Sequence, residues 1–146
     1  MANTVQLEIM TPSKQFYKGD VELVIARTKS GDEGFMAGHA WACKLLDVGE
    51  LWIREAGAES NTFKLAAVAE GFIDVKDTII IYSDDVEWSK DIDVERAQKR
   101  KAEAEEWMKS HSEEAYPLEY ERAKLTVKKA ENRINVAAGG ISNKKK

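Results

Sequence analysis

Sulfur and imidazole are scarce in this chain: one cysteine, Cys43, and two histidines occur in 146 residues. One thiol makes neither a disulfide framework nor a cysteine-based metal site, and a reducing setting fits. Neither His39 nor Cys43 has the partners of a nucleophilic triad beside it in sequence. His39 reads as a loop histidine fixing a turn, and no catalytic residue and no metal site are expected. No run approaches the ~20 apolar residues of a membrane span. The start, "MANTVQLEIM", lacks a basic segment followed by an apolar one, so no signal peptide is expected. No G-x-x-x-x-G-K-[ST] occurs, which excludes a hydrolytic P-loop. Proline is limited to Pro12 and Pro117, and both act as punctuation.

Charge is abundant but unevenly placed. The net charge is −4, divided into −6 over residues 1–90 and +2 over residues 91–146. An acidic chain is a poor nucleic-acid binder overall. The basic end "SNKKK" reads as a solvated terminus, so residues 141–146 are expected to form a disordered basic tail.

The first half carries strand signals. Val5, Leu7 and Ile9 alternate with Gln6 and Glu8, and Pro12 ends that strand. "VELVIART", "ELWIREAG", "TFKLAAVAEGFIDV" and "TIIIYS" follow, rich in β-branched residues and separated by turn residues. Short strands at this regular spacing indicate a β-sandwich or barrel.

The second half changes period. From Asp93 to about Ser110 there is neither Pro nor Gly, and Ala, Glu, Lys and Arg dominate. Asp91 or Asp93 caps this helix, because a carboxylate satisfies the unpaired N–H groups at the positive dipole end. "SHSEEAYP" breaks the pattern, and Pro117 suits the first turn of a second helix. That helix shows an apolar stripe of Tyr120, Ala123, Val127, Ala130, Ile134 and Ala137, and Gly139-Gly140 stops it. Val94, Ala97, Ala104 and Met108 form the matching face of the first helix. The two pack as an antiparallel hairpin. A buried CH₂ contributes ~0.8 kcal/mol, so this largely alanine seam holds the hairpin weakly and allows it to open. A static hairpin docked on the β-unit is the alternative. The fold class is therefore α+β, with a β-sandwich over residues 1–88 and a helical hairpin over residues 89–140.

If the hairpin turns near residues 114–115, residue numbers summing to about 229 lie side by side, so Arg96 faces Arg133 and Arg100 faces Lys129. Each helix contributes an i,i+4 pair of cations to one face. Two readings stand: a polyphosphate site gripped by arginine forks, or a solvated surface of ion pairs worth ~0–1 kcal/mol each.

Three stretches carry a family resemblance: "GDEGFMAGHAWACKLLDVGELWI", "LAAVAEGFIDV" and "DIDVERA". In this order, before a helical hairpin, they resemble the epsilon subunit of bacterial F-type ATP synthases. The resemblance implies a non-catalytic rotor subunit whose sandwich binds the gamma subunit and sits on the c-ring, with Asp32, Glu33, Phe35, Met36 and His39 near those contacts. It implies that the helices inhibit ATP hydrolysis when they extend toward the alpha/beta catalytic hexamer. It places the protein at the cytoplasmic face of the bacterial plasma membrane, attached only through the complex, with no cofactor required. It also implies ATP as a regulatory ligand of the folded hairpin, carried over to Glu87, Ile92, Asp93, Arg96, Ala97, Lys129 and Arg133. Lys129 stands where those members carry Arg, and Glu103 falls where another Arg is expected, with Arg100 as its substitute. Lys lacks the bidentate fork, so weak ATP binding is expected. An ATP-sensing hairpin, with nucleotide binding as the main role, is the alternative reading.

Overall fold

The computed structural model describes residues 3–140, so the expected tail at 141–146 lies outside the described residues. Eight strands come first: β1 (Val5–Met10), β2 (Gln15–Thr28), β3 (Gly31–Phe35), β4 (Ala42–Glu55), β5 (Lys64–Val68), β6 (Gly71–Val75), β7 (Ile79–Ser83) and β8 (Val86–Trp88). A single 3₁₀ turn (Ser89–Asp91) leads to α1 (Val94–Ser110) and α2 (Pro117–Ala137). The α+β architecture is the one the sequence indicates.

The strands pair in the order β3-β2-β1-β7-β6-β4-β5-β8, and β2 also pairs with β4. That extra pairing closes the ladder on itself and makes a flattened sandwich. Period-two alternation decides which side chains go in. Val5, Leu7 and Ile9 of β1 are buried, as are Ile79 and Ile81 of β7, which lies parallel to β1. With Val24, Phe35, Leu46, Leu51 and Ile53 they form one core. β2 starts earlier than "VELVIART", because Gln15–Asp20 pair antiparallel with β1 across the turn at Pro12. β4 spans both layers: Ala42–Leu46 pair with β6, and Gly49–Ile53 pair with β5.

Asp93, not Asp91, caps α1, its carboxylate accepting the Arg96 N–H at 3.0 Å. Pro117 occupies the first turn of α2. At its other end, Gly139 N–H donates to Val136 O at 3.0 Å and Gly140 N–H donates to Asn135 O at 2.8 Å. Both glycines have positive φ, 105° and 81°, the left-handed geometry that ends a helix in this way.

The hairpin lies on the sandwich chiefly through α2, against β4, β5 and the 3₁₀ turn. The expected stripe on α2 is at least half-buried along its whole length, with Ala130 at its centre buried. Its partner Ala97 on α1 is fully buried. The alanine seam ends before the closed end of the hairpin. There Trp107 stacks on His111 at 4.2 Å with an 8° interplanar angle, Tyr116 meets His111 edge-on at 5.0 Å, and Tyr120 lies 6.3 Å from Trp107. Aromatic pairs add about 0.5–1.5 kcal/mol beyond their buried area, so this end is tighter than the alanines alone imply.

Candidate functional site

The cations expected to gather do so. The capping bond at Asp93 sets the first turn of α1, which places Arg96 and Arg100 one turn apart on the side of the hairpin nearest β8. Arg96, Arg100 and Arg133 line a cleft of about 370 Å³ with Lys14 of the β1–β2 turn and the carboxylates of Asp84, Asp85 and Glu87. An adjoining hollow of about 170 Å³ is walled by Arg100, Lys129, Arg133, Asp85 and Thr126. Glu87, Arg96, Arg100, Lys129 and Arg133 thus meet at one place, the open end of the hairpin.

Ile92, Asp93 and Ala97 do not line either hollow. Asp93 spends its carboxylate on the helix cap, Ile92 is half-buried in the link, and Ala97 is buried between the helices. The Asp93 cap accepts the Arg96 N–H and so fixes the turn that carries Arg96.

Within the cluster the charges are not equivalent. Arg133 forks onto Glu87, Nε to Oε1 at 2.6 Å and Nη2 to Oε2 at 3.4 Å, with both side chains mostly buried. This bond joins α2 to β8, so it clasps the hairpin to the sandwich. Arg96, Arg100 and Lys129 make no ion pair within 4.0 Å among the described residues. These three cations share the cleft walls with Asp84 and Asp85, so the surface carries both signs of charge.

Further bonds hold α2 in place. Lys128 Nζ donates to Asp47 Oδ1 at 2.8 Å, Asn132 Nδ2 donates to Gly49 O at 3.0 Å, and Ser89 Oγ donates to Val136 O at 2.7 Å. Lys128, Asn132 and Val136 are four apart, a second face of α2 distinct from the stripe toward α1. Burial alone would raise the Asp47 carboxyl. Hydrogen bonds from Lys128 and from the Val48 N–H outweigh it and hold the group below its usual range.

The segment expected near rotor contacts divides. Asp32 is bonded to Arg27 at 2.9 Å, and Glu33 receives Lys44 at 2.6 Å. The Lys44 bond holds the Glu33 carboxyl below its ordinary value. Met36 is exposed, and the His39 Nδ1 lies 2.7 Å from Ala40 O. Phe35 corrects the expectation of a surface contact. It is fully buried, because it lies opposite the buried Val24 of β2 and joins the core, and it anchors the loop from within, 5.0 Å from the His39 ring.

Sequence reasoning missed two exposed apolar features. Trp41, 68% exposed, stands beyond His39. On the sandwich, Leu45 of β4, Phe72 of β6, Tyr82 of β7 and Met10 of β1 are consecutive cross-strand partners. Leu45 is 63% exposed, and Phe72 stacks on Tyr82 at 4.8 Å. The row borders a cleft of about 630 Å³. The signal was present: "LL", "FI" and "IY" are apolar at adjacent positions, so both faces of those strands are apolar. A contiguous exposed apolar row of this kind is a candidate interaction surface.

Comparison with known proteins agrees with this two-part geometry. Residues 4–89 match the family model for the beta-sandwich domain of the ATP synthase Delta/Epsilon chain, and residues 90–138 match that for its long alpha-helix domain. The chain belongs to the ATP synthase Delta/Epsilon chain family. Members include the ATP synthase epsilon chain of Ruminococcus albus, 37% identical over 134 residues that cover 90% of this chain and 95% of the relative. The ATP synthase epsilon chain of Bacillus pumilus is also 37% identical, over 92% of this chain and 97% of the relative. The fold is similar to a chain of the Euglena gracilis mitochondrial ATP synthase assembly (OSCP, F1 and c-ring, rotational state 1). That likeness has a TM-score of 0.74 at 20% identity and covers 88% of this chain and 78% of that one. Among the described residues no helix of this family member is long and apolar enough to cross a membrane.

Proposed function

We propose that this chain is the epsilon-type central-stalk subunit of a bacterial F-type ATP synthase, non-catalytic itself, which couples the gamma subunit and c-ring to the catalytic hexamer and restrains ATP hydrolysis through its hairpin. The observation that carries the reading is the way the hairpin is held. A sandwich with an exposed apolar row bears a two-helix unit attached by one short linker and a few polar bonds along α2. Likeness over nearly the full length of relatives named ATP synthase epsilon chain supports it.

In this reading the row Leu45–Phe72–Tyr82 faces the gamma subunit, and the segment of Asp32, Glu33, Met36 and Trp41 faces the c-ring. The protein then sits at the cytoplasmic face of the plasma membrane without touching the bilayer. The hairpin is released when its clasps to Glu87, Asp47 and Gly49 exchange for contacts on the catalytic hexamer. The test is ATP hydrolysis by the reconstituted catalytic complex, with the full chain or with a chain ending at Lys90. Truncation raises hydrolysis if the hairpin is a brake. Equal rates at equal binding assign no inhibitory role to residues 91–146.

A second reading is favoured by the unpaired Arg96, Arg100 and Lys129: ATP binds the docked hairpin as a regulatory ligand, and nucleotide sensing is the main role. The triphosphate would lie in the cleft between Lys14 and the arginines. Asp84, Asp85 and Glu87 on the same wall, and the use of the Arg133 fork by Glu87, make binding weak. Titrating the isolated chain with ATP into the several-millimolar range tests it, and an absence of saturable heat there removes ATP from the account.

A further inference from the structure

The cation cluster is not the only hollow at the junction of sandwich and hairpin. A separate cleft of about 370 Å³, sharing no lining residue with the cation cluster, has a different character. Phe63, Leu65 and Trp88 make its walls, and Lys64, Ser89, Lys90 and Gly139 complete it. No acidic residue lines it among the described residues. The volume falls in the ~300–1,000 Å³ range of small-molecule sites.

We propose that this cleft binds a flat aromatic anion, of the size of a fused two-ring carboxylate or sulfonate. Its two rings are fixed before any ligand arrives. Phe63 meets Trp52 edge-on at 5.7 Å, and Trp88 is braced by Phe16 at 4.8 Å and Tyr17 at 5.8 Å. Pre-positioned rings lose little entropy on binding. The charges lying against the two rings are cationic. The Arg54 guanidinium lies 5.8 Å from the Phe63 centroid, and Lys64 Nζ lies 5.7 Å from the Trp88 centroid.

The acidic groups nearby are already engaged. Glu22 lies 3.4 Å from Arg54 Nε, and Glu55 lies 3.3 Å from Lys64 Nζ while accepting the Tyr17 hydroxyl at 2.7 Å. Lys90 is exposed and has no ion-pair partner among the described residues. It is therefore the group left to meet the charge of a ligand. An aromatic floor under a free ammonium selects a ligand that is apolar at one end and anionic at the other. A triphosphate finds only two lysines here.

The position gives the site a consequence. Lys64 and Leu65 belong to β5, Trp88 ends β8, Ser89 and Lys90 form the 3₁₀ turn, and Gly139 follows α2. A ligand touches the sandwich, the linker and the end of the hairpin together. Only in the docked form does it also touch Gly139, the one lining residue that the hairpin supplies. Resting on the reading of the hairpin as a releasable unit, release falls by at most the factor 1 + [L]/Kd, about elevenfold at ten times Kd, and by less to the extent that the cleft without Gly139 still binds.

The probe is naphthalene-1-sulfonate, titrated into the full chain and followed by amide and indole NMR shifts. The expected result is saturable shifts at Phe63–Leu65, Trp88–Lys90 and Gly139. Lys90→Glu, a change on an exposed side chain, weakens binding at least tenfold, and Phe63→Ala does the same. Phe72→Ser, on the apolar row, leaves binding unchanged. Shifts centred on Leu45, Phe72 and Tyr82, or equal binding by the uncharged naphthalene-1-methanol, overturn the proposal. So does binding that appears only in a chain ending at Gly140, which assigns the cleft to the protein's own last residues. Hydrogen exchange of α2 amides is the second readout. Site-specific binding with unchanged exchange keeps the site and removes the hairpin reading.

Discussion

A Cβ on Gly71 would overlap the carbonyl oxygen of Tyr82, so β6 and β7 approach each other there only because no side chain intervenes. Gly71→Ala is expected to destabilise the sandwich by about 3 kcal/mol, since the clash is with backbone and not with a movable side chain. Urea denaturation of the purified chain measures it. At the clasp, Arg133→Ala leaves a mostly buried Glu87 without its bidentate partner. The expected cost to hairpin docking is about 1.5–3 kcal/mol, read as faster exchange of α2 amides with the β-strand amides unaffected. Of these two residues, only Arg133 was legible as part of a site. Its place beside Arg96 follows from helical period and hairpin register, which are local rules. Its bond to Glu87 depends on how α2 lands on β8, which no local rule states. Phe35 shows the reverse error. Its neighbours Asp32 and Glu33 hold surface ion pairs, whereas Phe35 lies opposite the buried Val24 of β2 and joins the core.

Among the elements, α2 has two working faces. The stripe toward α1 is apolar and was readable from spacing alone. The face toward the sandwich is polar at Lys128 and Asn132 and apolar only at Val136, and a search for hydrophobic periodicity passes over it. That face makes docking sensitive to pH. The Asp47 carboxyl is held below its unfolded value, so its contribution is present above the unfolded value and is lost as pH falls through the folded one. At pH 7 Asp47→Asn is expected to loosen α2, and the difference from the parent chain closes as pH drops below about 4. Exchange of α2 amides across that range is the measurement. At the closed end of the hairpin, Trp107→Ala removes the ring that His111 stacks on and that Tyr116 and Tyr120 flank. About 2 kcal/mol of hairpin stability should go with it, seen as lost helical circular dichroism and not as lost strand signal.

For the whole molecule, the sandwich carries the closed ladder and core, and the hairpin packs on it through α2 after a short linker. If the apolar row is the surface that meets the gamma subunit, a charge placed there breaks assembly without unfolding the chain. Phe72→Glu is expected to leave the melting temperature within a few degrees of the parent, because Phe72 points outward, and to abolish co-purification with reconstituted gamma subunit. An unchanged yield of complex would move the interface elsewhere.

The sequence by itself determined the strand-rich character of the first half, the two helices, the stop at Gly139-Gly140 and the meeting of the four cations, though β3, β8 and the division of β5 from β6 were not read from it. Each depends on a period or a backbone preference that acts within a few residues. The tertiary structure alone decided four things: closure of the ladder through β2 and β4, the exposure of Leu45, Phe72 and Tyr82, the clasp of Arg133 on Glu87, and the aromatic cleft at Trp88. In each case the contacting residues are far apart in sequence. Their pairing is fixed by which surfaces pack, and a linear pattern carries no term for that.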